Sequence, residues 1–184
     1  VFDVTDRQVV CAGVDAIERD HGPVDILINN AGMQHRAALD EFPDTAWDTL
    51  MRTNLDSVFH VTRHVINGML ERGWGRIVNV TSAAALHPPG PLNSAYGTAK
   101  AALNQMTRHL AAEIAGSGVT ANVIHPGDVK TEMWADIKQR VAGTGAAGEN
   151  YSSWVAWVEE TGGDPPEIGA HQWTSRIRMS LPTM

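Results

Sequence analysis

Residues 24–32 read Val24-Asp25-Ile26-Leu27-Ile28-Asn29-Asn30-Ala31-Gly32, a short apolar run followed directly by a polar turn. The run is rich in β-branched residues and Asp25 is its only charge, which is typical of a buried strand in a parallel sheet. The Asn-Ala-Gly turn favours a change of chain direction. We therefore predict a buried strand over residues 24–28.

Elements of two kinds alternate on both sides of this strand. Two more β-branched runs predict strands at residues 76–82 and 119–125. Apolar residues at steps of three or four predict helices at residues 7–20, 44–71 and 95–116. This order predicts an α/β fold, a Rossmann-like doubly wound parallel sheet with helices on both faces.

Both ends of the chain lie close to predicted elements. Residues 1–6 predict the end of another strand that leads into a helix capped by Thr5 or Asp6. The chain begins without Met and stops soon after a short predicted helix at residues 165–179. We expect one Rossmann-like domain over residues 1–184 that is incomplete at both ends.

Composition limits the classes of function. The 184 residues are 43% hydrophobic and 19% charged, and the formal net charge is −7. Without a basic block, neither a nucleic acid nor an anionic membrane surface is an expected partner. The single Cys11 excludes an internal disulfide and fits a reducing compartment, so a cytoplasmic location is expected. No apolar run reaches the length of a transmembrane helix, and no signal peptide is visible.

Tyr96 and Lys100 are the residues that most directly indicate chemistry. They are four residues apart on a predicted helix and therefore lie on one face. A phenol is a poor base at neutral pH, but a nearby ammonium stabilises the phenolate and lowers its pKa. Such a phenol can exchange a proton with an alcohol or carbonyl oxygen. Taken alone, however, this spacing is common on helix surfaces.

Several further motifs occur in one order with this pair: Asn29-Asn30-Ala31-Gly32, Asn54, Ser82 and Pro126-Gly127. Together they resemble the short-chain dehydrogenase/reductase family over about residues 1–131. The resemblance implies an NAD(P)-dependent oxidoreductase that moves a hydride between a nicotinamide cofactor, NAD or NADP, and an alcohol or carbonyl substrate. We expect a substrate of small or medium size and apolar character.

The resemblance also implies roles for individual residues. Tyr96 would be the general acid/base, Lys100 would lower the pKa of Tyr96 and hold the nicotinamide ribose, and Ser82 would orient the substrate oxygen. Asn54 would interrupt its helix and position a water on the proton relay to Lys100. Nine further positions are expected to help bind the cofactor, some of them within the motifs above: Asp3, Val4, Asn30, Ala31, Gly32, Pro126, Gly127, Val129 and Thr131, with Tyr96 and Lys100 shared between both sets.

The chain departs from the family at the phosphate site. The Gly-rich turn after the family's first strand is absent, and so is the residue that separates NAD from NADP. The alternative to an enzyme is therefore a non-catalytic truncated Rossmann-like fragment that binds no cofactor. Sugar epimerases and dehydratases share the Tyr-x-x-x-Lys spacing, but the Asn-Asn-Ala-Gly turn and Asn54 argue against them.

Other features of the sequence carry weaker expectations. Residues 130–179 hold several aromatic residues and correspond to the family's substrate lid, although ordinary helix packing explains them equally well. His60 and His64 are a helical turn apart, but no third ligand stands at a fitting position, so we expect no metal site. The broad apolar arcs of helices 44–71 and 95–116 predict a homodimer or homotetramer, as is common in the family.

Overall fold

The computed structural model describes residues 2–86 and 92–127, and its elements follow the predicted order. The helices and strands of this part are α1 (Arg7–His21), β1 (Ile26–Asn29), α2 (Asp44–Met51), α3 (Ser57–Arg72), β2 (Gly75–Val80), α4 (Ser94–Glu113) and β3 (Val119–Ile124). Two short 3₁₀ turns lie at Leu39–Glu41 and Ala83–Ala85.

The three strands form one parallel sheet in the order β1-β2-β3. Ile28 pairs with Val78, and Val78 pairs with Asn122 in turn. Because all three strands run in the same direction, their carboxyl ends lie at one edge of the sheet. The predicted parallel α/β sheet is confirmed.

Helices α1, α3 and α4 share one hydrophobic core with this sheet. Its fully or nearly fully buried members come from α1, α3, the sheet and the residue that follows α4: Val10, Val14, Val65, Met69, Ile77, Ile114, Val119 and Ala121. Side chains alternate between the faces of a strand, so Ile26 and Ile28 of β1 lie on the opposite face from Leu27. They are 58% and 59% exposed. Within the described residues, helices therefore pack on one face of the sheet.

A chain of buried hydrogen bonds crosses the sheet beneath the helices. The Asn29 amide donates to Asn79 Oδ1 at 2.8 Å and to Thr62 Oγ1 at 3.2 Å. The Asn79 amide donates in turn to Thr107 Oγ1 on α4 at 2.8 Å. A buried amide without a partner is costly, so this ladder favours the observed register of β1 against β2. It also anchors the residue directly before the Asn30 turn.

The expected strand at residues 1–6 is not present among residues 2–6, which form a turn. The Asp3 carboxylate accepts hydrogen bonds from the backbone N–H and the hydroxyl of Thr5, both at 2.8 Å. These local bonds bend the chain into a turn. A strand would instead need hydrogen bonds to a neighbouring strand. The predicted helix start is confirmed, since Asp6 caps α1 by accepting from the N–H groups of Gln8 and Val9.

The predicted helix at 44–71 is present but interrupted. α2 and α3 are joined by a π-helical turn, Arg52–Asp56, which contains Asn54. Such turns insert one residue into a helix and often occur at functional sites. The helix ends as predicted at Gly73, whose φ of 66° is left-handed and readily adopted only by glycine.

The chain divides into two units, Val1–His125 and Pro126–Met184. The second unit is described here only at Pro126 and Gly127. The expectation of one incomplete domain over residues 1–184 stays a prediction. Among the described helices, none is both long and apolar enough to cross a membrane.

Candidate active site

Ser82, Tyr96 and Lys100 converge at the carboxyl edge of the sheet. Ser82 lies two residues after the end of β2 and caps the turn Ala83–Ala85 by accepting from the Ala84 N–H at 3.2 Å. Tyr96 lies in the first turn of α4, is buried, and lies near enough to Ser82 for the Ser82 hydroxyl to lower its pKa. The two hydroxyl groups that the sequence singles out therefore meet, as a proton-transfer site requires.

Lys100 lies one helical turn after Tyr96 and is 4% exposed. Its Nζ donates to the carbonyl oxygen of Val80 at 3.0 Å and lies 5.7 Å from the centroid of the Tyr96 ring. Burial lowers the pKa of Lys100 to about 8. The ammonium is still mostly protonated at pH 7.

Asn54 is completely buried beside the Asn30-Ala31-Gly32 turn. Its amide donates to the carbonyl oxygens of Met33 at 2.8 Å and Leu50 at 3.0 Å, and its Oδ1 accepts from the Met33 N–H at 3.3 Å. The π-helical turn thus directs an amide at the backbone that follows β1. This amide holds both backbone groups of Met33.

Gly32 shows how closely these groups approach. A Cβ atom at this position would lie 3.0 Å from Asn54 Oδ1 and 3.4 Å from Lys100 Nζ. A larger residue would push the amide or the ammonium aside. The absence of a side chain at Gly32 therefore lets the turn, Asn54 and Lys100 share one small volume.

The pKa of Tyr96 departs from the expectation of the sequence. Its pKa lies above the ordinary value of 10.0 because burial penalises the phenolate, and the Ser82 hydrogen bond and the positive charge of Arg36 oppose this rise. Lys100 was expected to lower this pKa, but desolvation outweighs the lowering effects here. The correction concerns electrostatics alone, since Tyr96 and Lys100 share a helix face as predicted.

A cleft of about 190 Å³ lies beside the end of β1. Most of its lining is apolar, and it includes three of the predicted cofactor residues, Val4, Asn30 and Ala31. The carboxylate of Asp3, a further predicted cofactor residue, accepts hydrogen bonds from Thr5. That carboxylate has a lowered pKa because it accepts those hydrogen bonds.

Several of the residues predicted to bind the cofactor lie after β3 in the chain. Pro126 and Gly127 follow β3 in the chain and belong to the second unit. Val129, Thr131 and the proposed lid at 130–179 lie outside the described residues.

Two residues near the site were not anticipated from the sequence. Arg36 lies in the loop after β1, between Gln34, whose amide donates to Asn93 Oδ1 at 2.8 Å, and Phe42, which packs against the cluster that contains Tyr96. His125 contacts the end of β2. The sequence signal that could have indicated His125 was its position at the end of a predicted strand, directly before Pro126. No spacing rule would have indicated Arg36.

A parallel sheet with a buried Tyr–Lys pair at its carboxyl edge is typical of α/β proteins that bind their ligands at that edge. Comparison with known proteins narrows this class. A profile of the short chain dehydrogenase family matches residues 1–142, and the chain belongs to that family.

Dehydrogenases are among the proteins that are similar to this chain in sequence and in structure. The chain is 42% identical over 156 residues to gluconate 5-dehydrogenase of Gluconobacter oxydans, covering 84% of this chain and 57% of that protein. A crystal structure of gluconate 5-dehydrogenase from Burkholderia cenocepacia with NADP and tartrate matches with a TM-score of 0.70 and 38% identity, over 79% of this chain and 55% of the other. NAD⁺-bound xylitol dehydrogenase matches with a TM-score of 0.70 and 35% identity, over 77% and 54%. The chain therefore spans little more than half the length of these relatives.

Proposed function

We propose that this chain carries the catalytic residues of an NAD(P)-dependent oxidoreductase that acts on an alcohol/carbonyl pair. The observation that carries the proposal is the meeting of Ser82, Tyr96 and Lys100 at the carboxyl edge of the sheet. Family membership supports it, because the relatives named above are dehydrogenases.

The residues would divide the chemistry as follows. The Ser82 hydroxyl would hold the substrate oxygen, and the Tyr96 hydroxyl would give a proton to a carbonyl oxygen or take one from an alcohol. The Lys100 ammonium would stabilise the phenolate and hold the nicotinamide ribose, and Asn54 would fix the turn beside it. When bound, the nicotinamide supplies or accepts the hydride, which no side chain can do.

The cleft beside β1 fits one part of such a cofactor. Val4, Asn30 and Ala31 line it, and the missing side chain of Gly32 leaves the turn close to Lys100. We propose that these residues hold the adenosine and ribose portions. NADP in one related structure and NAD⁺ in another support either nucleotide as the cofactor. Asp3, Pro126, Gly127, Val129 and Thr131 remain proposed cofactor contacts.

The direction of proton transfer follows from the pKa of Tyr96. Because that pKa is raised, the phenol is protonated at neutral pH. A protonated phenol favours reduction of a carbonyl, in which Tyr96 acts as the acid. Oxidation of an alcohol needs the phenolate, so its rate is expected to rise as the solution becomes more alkaline.

Replacing Arg36 with Gln is expected to move this alkaline rise to higher pH. Arg36 lowers the pKa of Tyr96, so loss of its charge raises that pKa further. The pH dependence of alcohol oxidation measures the shift. Arg7→Gln removes the same charge from an exposed position on α1 and is the control. A shift of equal size in both variants would contradict the assignment of Arg36.

Nucleotide absorbance at 340 nm during incubation with a substrate panel tests the function. We propose gluconate, xylitol and an apolar secondary alcohol, each with NAD⁺ and NADP⁺, since two relatives bear the names of a sugar acid and a polyol. Tyr96-dependent nucleotide reduction supports the enzyme. If the protein neither binds the nucleotide nor turns over any substrate, the result would support the non-catalytic fragment instead. The reading frame upstream of Val1 discriminates further, because the enzyme requires a Gly-x-x-x-Gly-x-Gly turn there.

We further propose that α3 and α4 form the interface of a homodimer or homotetramer. Phe59 on α3 is 45% exposed, and Met106 on α4 is half-buried beside small residues. A large exposed apolar side chain is consistent with a partner surface. In a two-fold interface of this kind, each substitution acts twice.

Met106→Glu is expected to halve the mass of the assembly, because a charge would enter the interface from both copies. Light scattering measures the mass, and circular dichroism checks that the fold is unchanged. Gln8→Glu adds the same charge on the exposed face of α1 and is the control. A wild-type protein that is already monomeric would remove this proposal.

A cytoplasmic location is also proposed, with no role in binding nucleic acid. The single free Cys11 and the net charge of −7 support it. Fractionation of cells that express the protein, with detection in the cytoplasmic fraction, is the corresponding test.

A further inference from the structure

His125 lies where the ladder between β2 and β3 ends. The last paired residues of the two strands are Val80 and Ile124. One residue further, the Thr81 N–H and the Thr81 hydroxyl both donate to the Ile124 carbonyl oxygen, each at 2.9 Å. The Nδ1 atom of His125 lies 2.5 Å from Thr81 Oγ1 and 3.3 Å from the carbonyl oxygen of Ser82.

These contacts favour one position for the ring proton. The Thr81 hydroxyl has one proton and lies within hydrogen-bond distance of both the Ile124 carbonyl oxygen and His125 Nδ1. The carbonyl oxygen of Ser82 can only accept. With the ring proton on Nδ1, the ring donates to Thr81 Oγ1 and to the Ser82 carbonyl oxygen while the Thr81 hydroxyl donates to Ile124. This is the arrangement in which each of these contacts is a hydrogen bond.

The contact with Ser82 connects His125 to the catalytic cluster. The Ser82 carbonyl accepts from the Ala85 N–H at 3.0 Å as well as from His125, so one donor comes from the following turn and one from the end of β3. Ser82 is extended, with φ −163° and ψ 157°, and its hydroxyl lies toward Tyr96. Rotation of this peptide would carry the hydroxyl away from the phenol.

We propose that His125 is a positioning residue, whose Nδ1–H holds the Ser82 peptide so that the Ser82 hydroxyl meets Tyr96 and the substrate oxygen. In this role His125 acts through the Ser82 peptide. The proposal rests on the proposed oxidoreductase function. It adds to that function a donor from β3 that sets the geometry of the Ser82 hydroxyl.

Two amide substitutions separate this role from general packing. In His125→Asn the side-chain amide nitrogen stands where Nδ1 stands, two bonds from Cβ, whereas in His125→Gln it lies one bond further. We expect His125→Asn to keep kcat within about 2-fold and His125→Gln to lower it about 10-fold, since misplacement of a reacting group is costly in rate. The KM for the nucleotide should stay unchanged in both.

Equal values of kcat in the Asn and Gln variants of an active enzyme would overturn the proposal. A fall in kcat that is matched by a rise in the nucleotide KM, or by a lower Tm, would show a structural role instead and would also overturn it. A wild-type protein without hydride transfer would overturn the proposed function, and the assignment of His125 to a catalytic site would fall with it.

A second measurement does not depend on activity. Nitrogen-15 NMR of the histidine side chains reports which ring nitrogen is protonated, and His125→Asn identifies the His125 signals by their loss. We expect the tautomer with its proton on Nδ1 above the pH at which the ring loses its charge. A neutral ring protonated on Nε2 would overturn the proposed contact even if the enzyme is active.

Discussion

Replacing Tyr96 with Phe is expected to lower turnover by about 10²-fold or more, because it removes the group that exchanges a proton with the substrate oxygen. The change deletes one oxygen atom from a buried side chain and keeps the ring that packs with Leu50, Ala95 and Ala99. The fold should therefore persist, and loss of the polar contacts of the buried hydroxyl should cost about 1 kcal/mol of stability. Steady-state kinetics of the wild type and of the variant measure the difference in turnover.

Two controls accompany this variant. Calorimetric affinity for the nucleotide should be close to that of the wild type, since the phenol acts on the substrate. Thr98→Val removes a hydroxyl from an exposed position of the same helix and should leave turnover unchanged. Turnover of the Phe variant within a few-fold of the wild type would remove Tyr96 from the mechanism.

Lys100→Met is expected to change activity and stability in opposite directions. Methionine keeps much of the lysine stem but removes the ammonium, so turnover should fall by about 10²-fold or more, as expected when proton-transfer help is lost, and nucleotide binding should weaken. The fold should gain stability, because burial of the ammonium lowers its pKa from 10.5 to about 8. A shift of that size corresponds to about 3 kcal/mol, and loss of the bond to Val80 offsets about 1 kcal/mol.

The stability difference should depend on pH with a definite sign. Below about pH 8 the ammonium is protonated in both the folded and the unfolded chain, so its full burial cost is present. Between about pH 8 and 10.5 the folded chain releases the proton while the unfolded chain retains it, and the wild type becomes relatively more stable. The advantage of Lys100→Met should therefore be largest below pH 8 and shrink as the pH rises.

Urea unfolding at a series of pH values measures this difference. Arg7→Met removes a positive charge from an exposed position on α1 and should show no such trend. A Met variant that is less stable than the wild type at pH 7 would contradict the burial cost. Lys100→Arg should restore turnover incompletely, because a planar guanidinium replaces a compact ammonium.

Much of the architecture could be predicted from local sequence patterns. The β-branched runs predicted three parallel strands, and the observed strands begin and end within two residues of the predicted bounds. Helix α1 begins directly after Asp6 because that side chain satisfies N–H groups only two and three residues ahead. Gly73 ends α3 because few other residues adopt its backbone conformation without cost. These features depend on neighbours in the chain, so a sequence pattern is sufficient to predict them.

The candidate site combines local and long-range determinants. The four-residue spacing of Tyr96 and Lys100 places them on one helix face wherever that helix lies. The meeting of Ser82 with Tyr96, and of Asn54 with Met33, depends on how α4 and the π-helical turn pack against the strand ends. The order of the elements predicted that these residues lie at the same edge of the sheet, but it did not predict which of them are in contact.

Only the tertiary structure decided the electrostatics and the buried polar contacts. The sequence predicted a lowered pKa for Tyr96 from a nearby charge, whereas the packed site raises it, because desolvation depends on every element that covers the phenol. The bond between Asn29 and Asn79 requires one register of two strands, and the contacts of His125 Nδ1 involve oxygen atoms 43 and 44 residues away. A linear pattern contains spacing and polarity, but burial and register exist only once distant segments pack together.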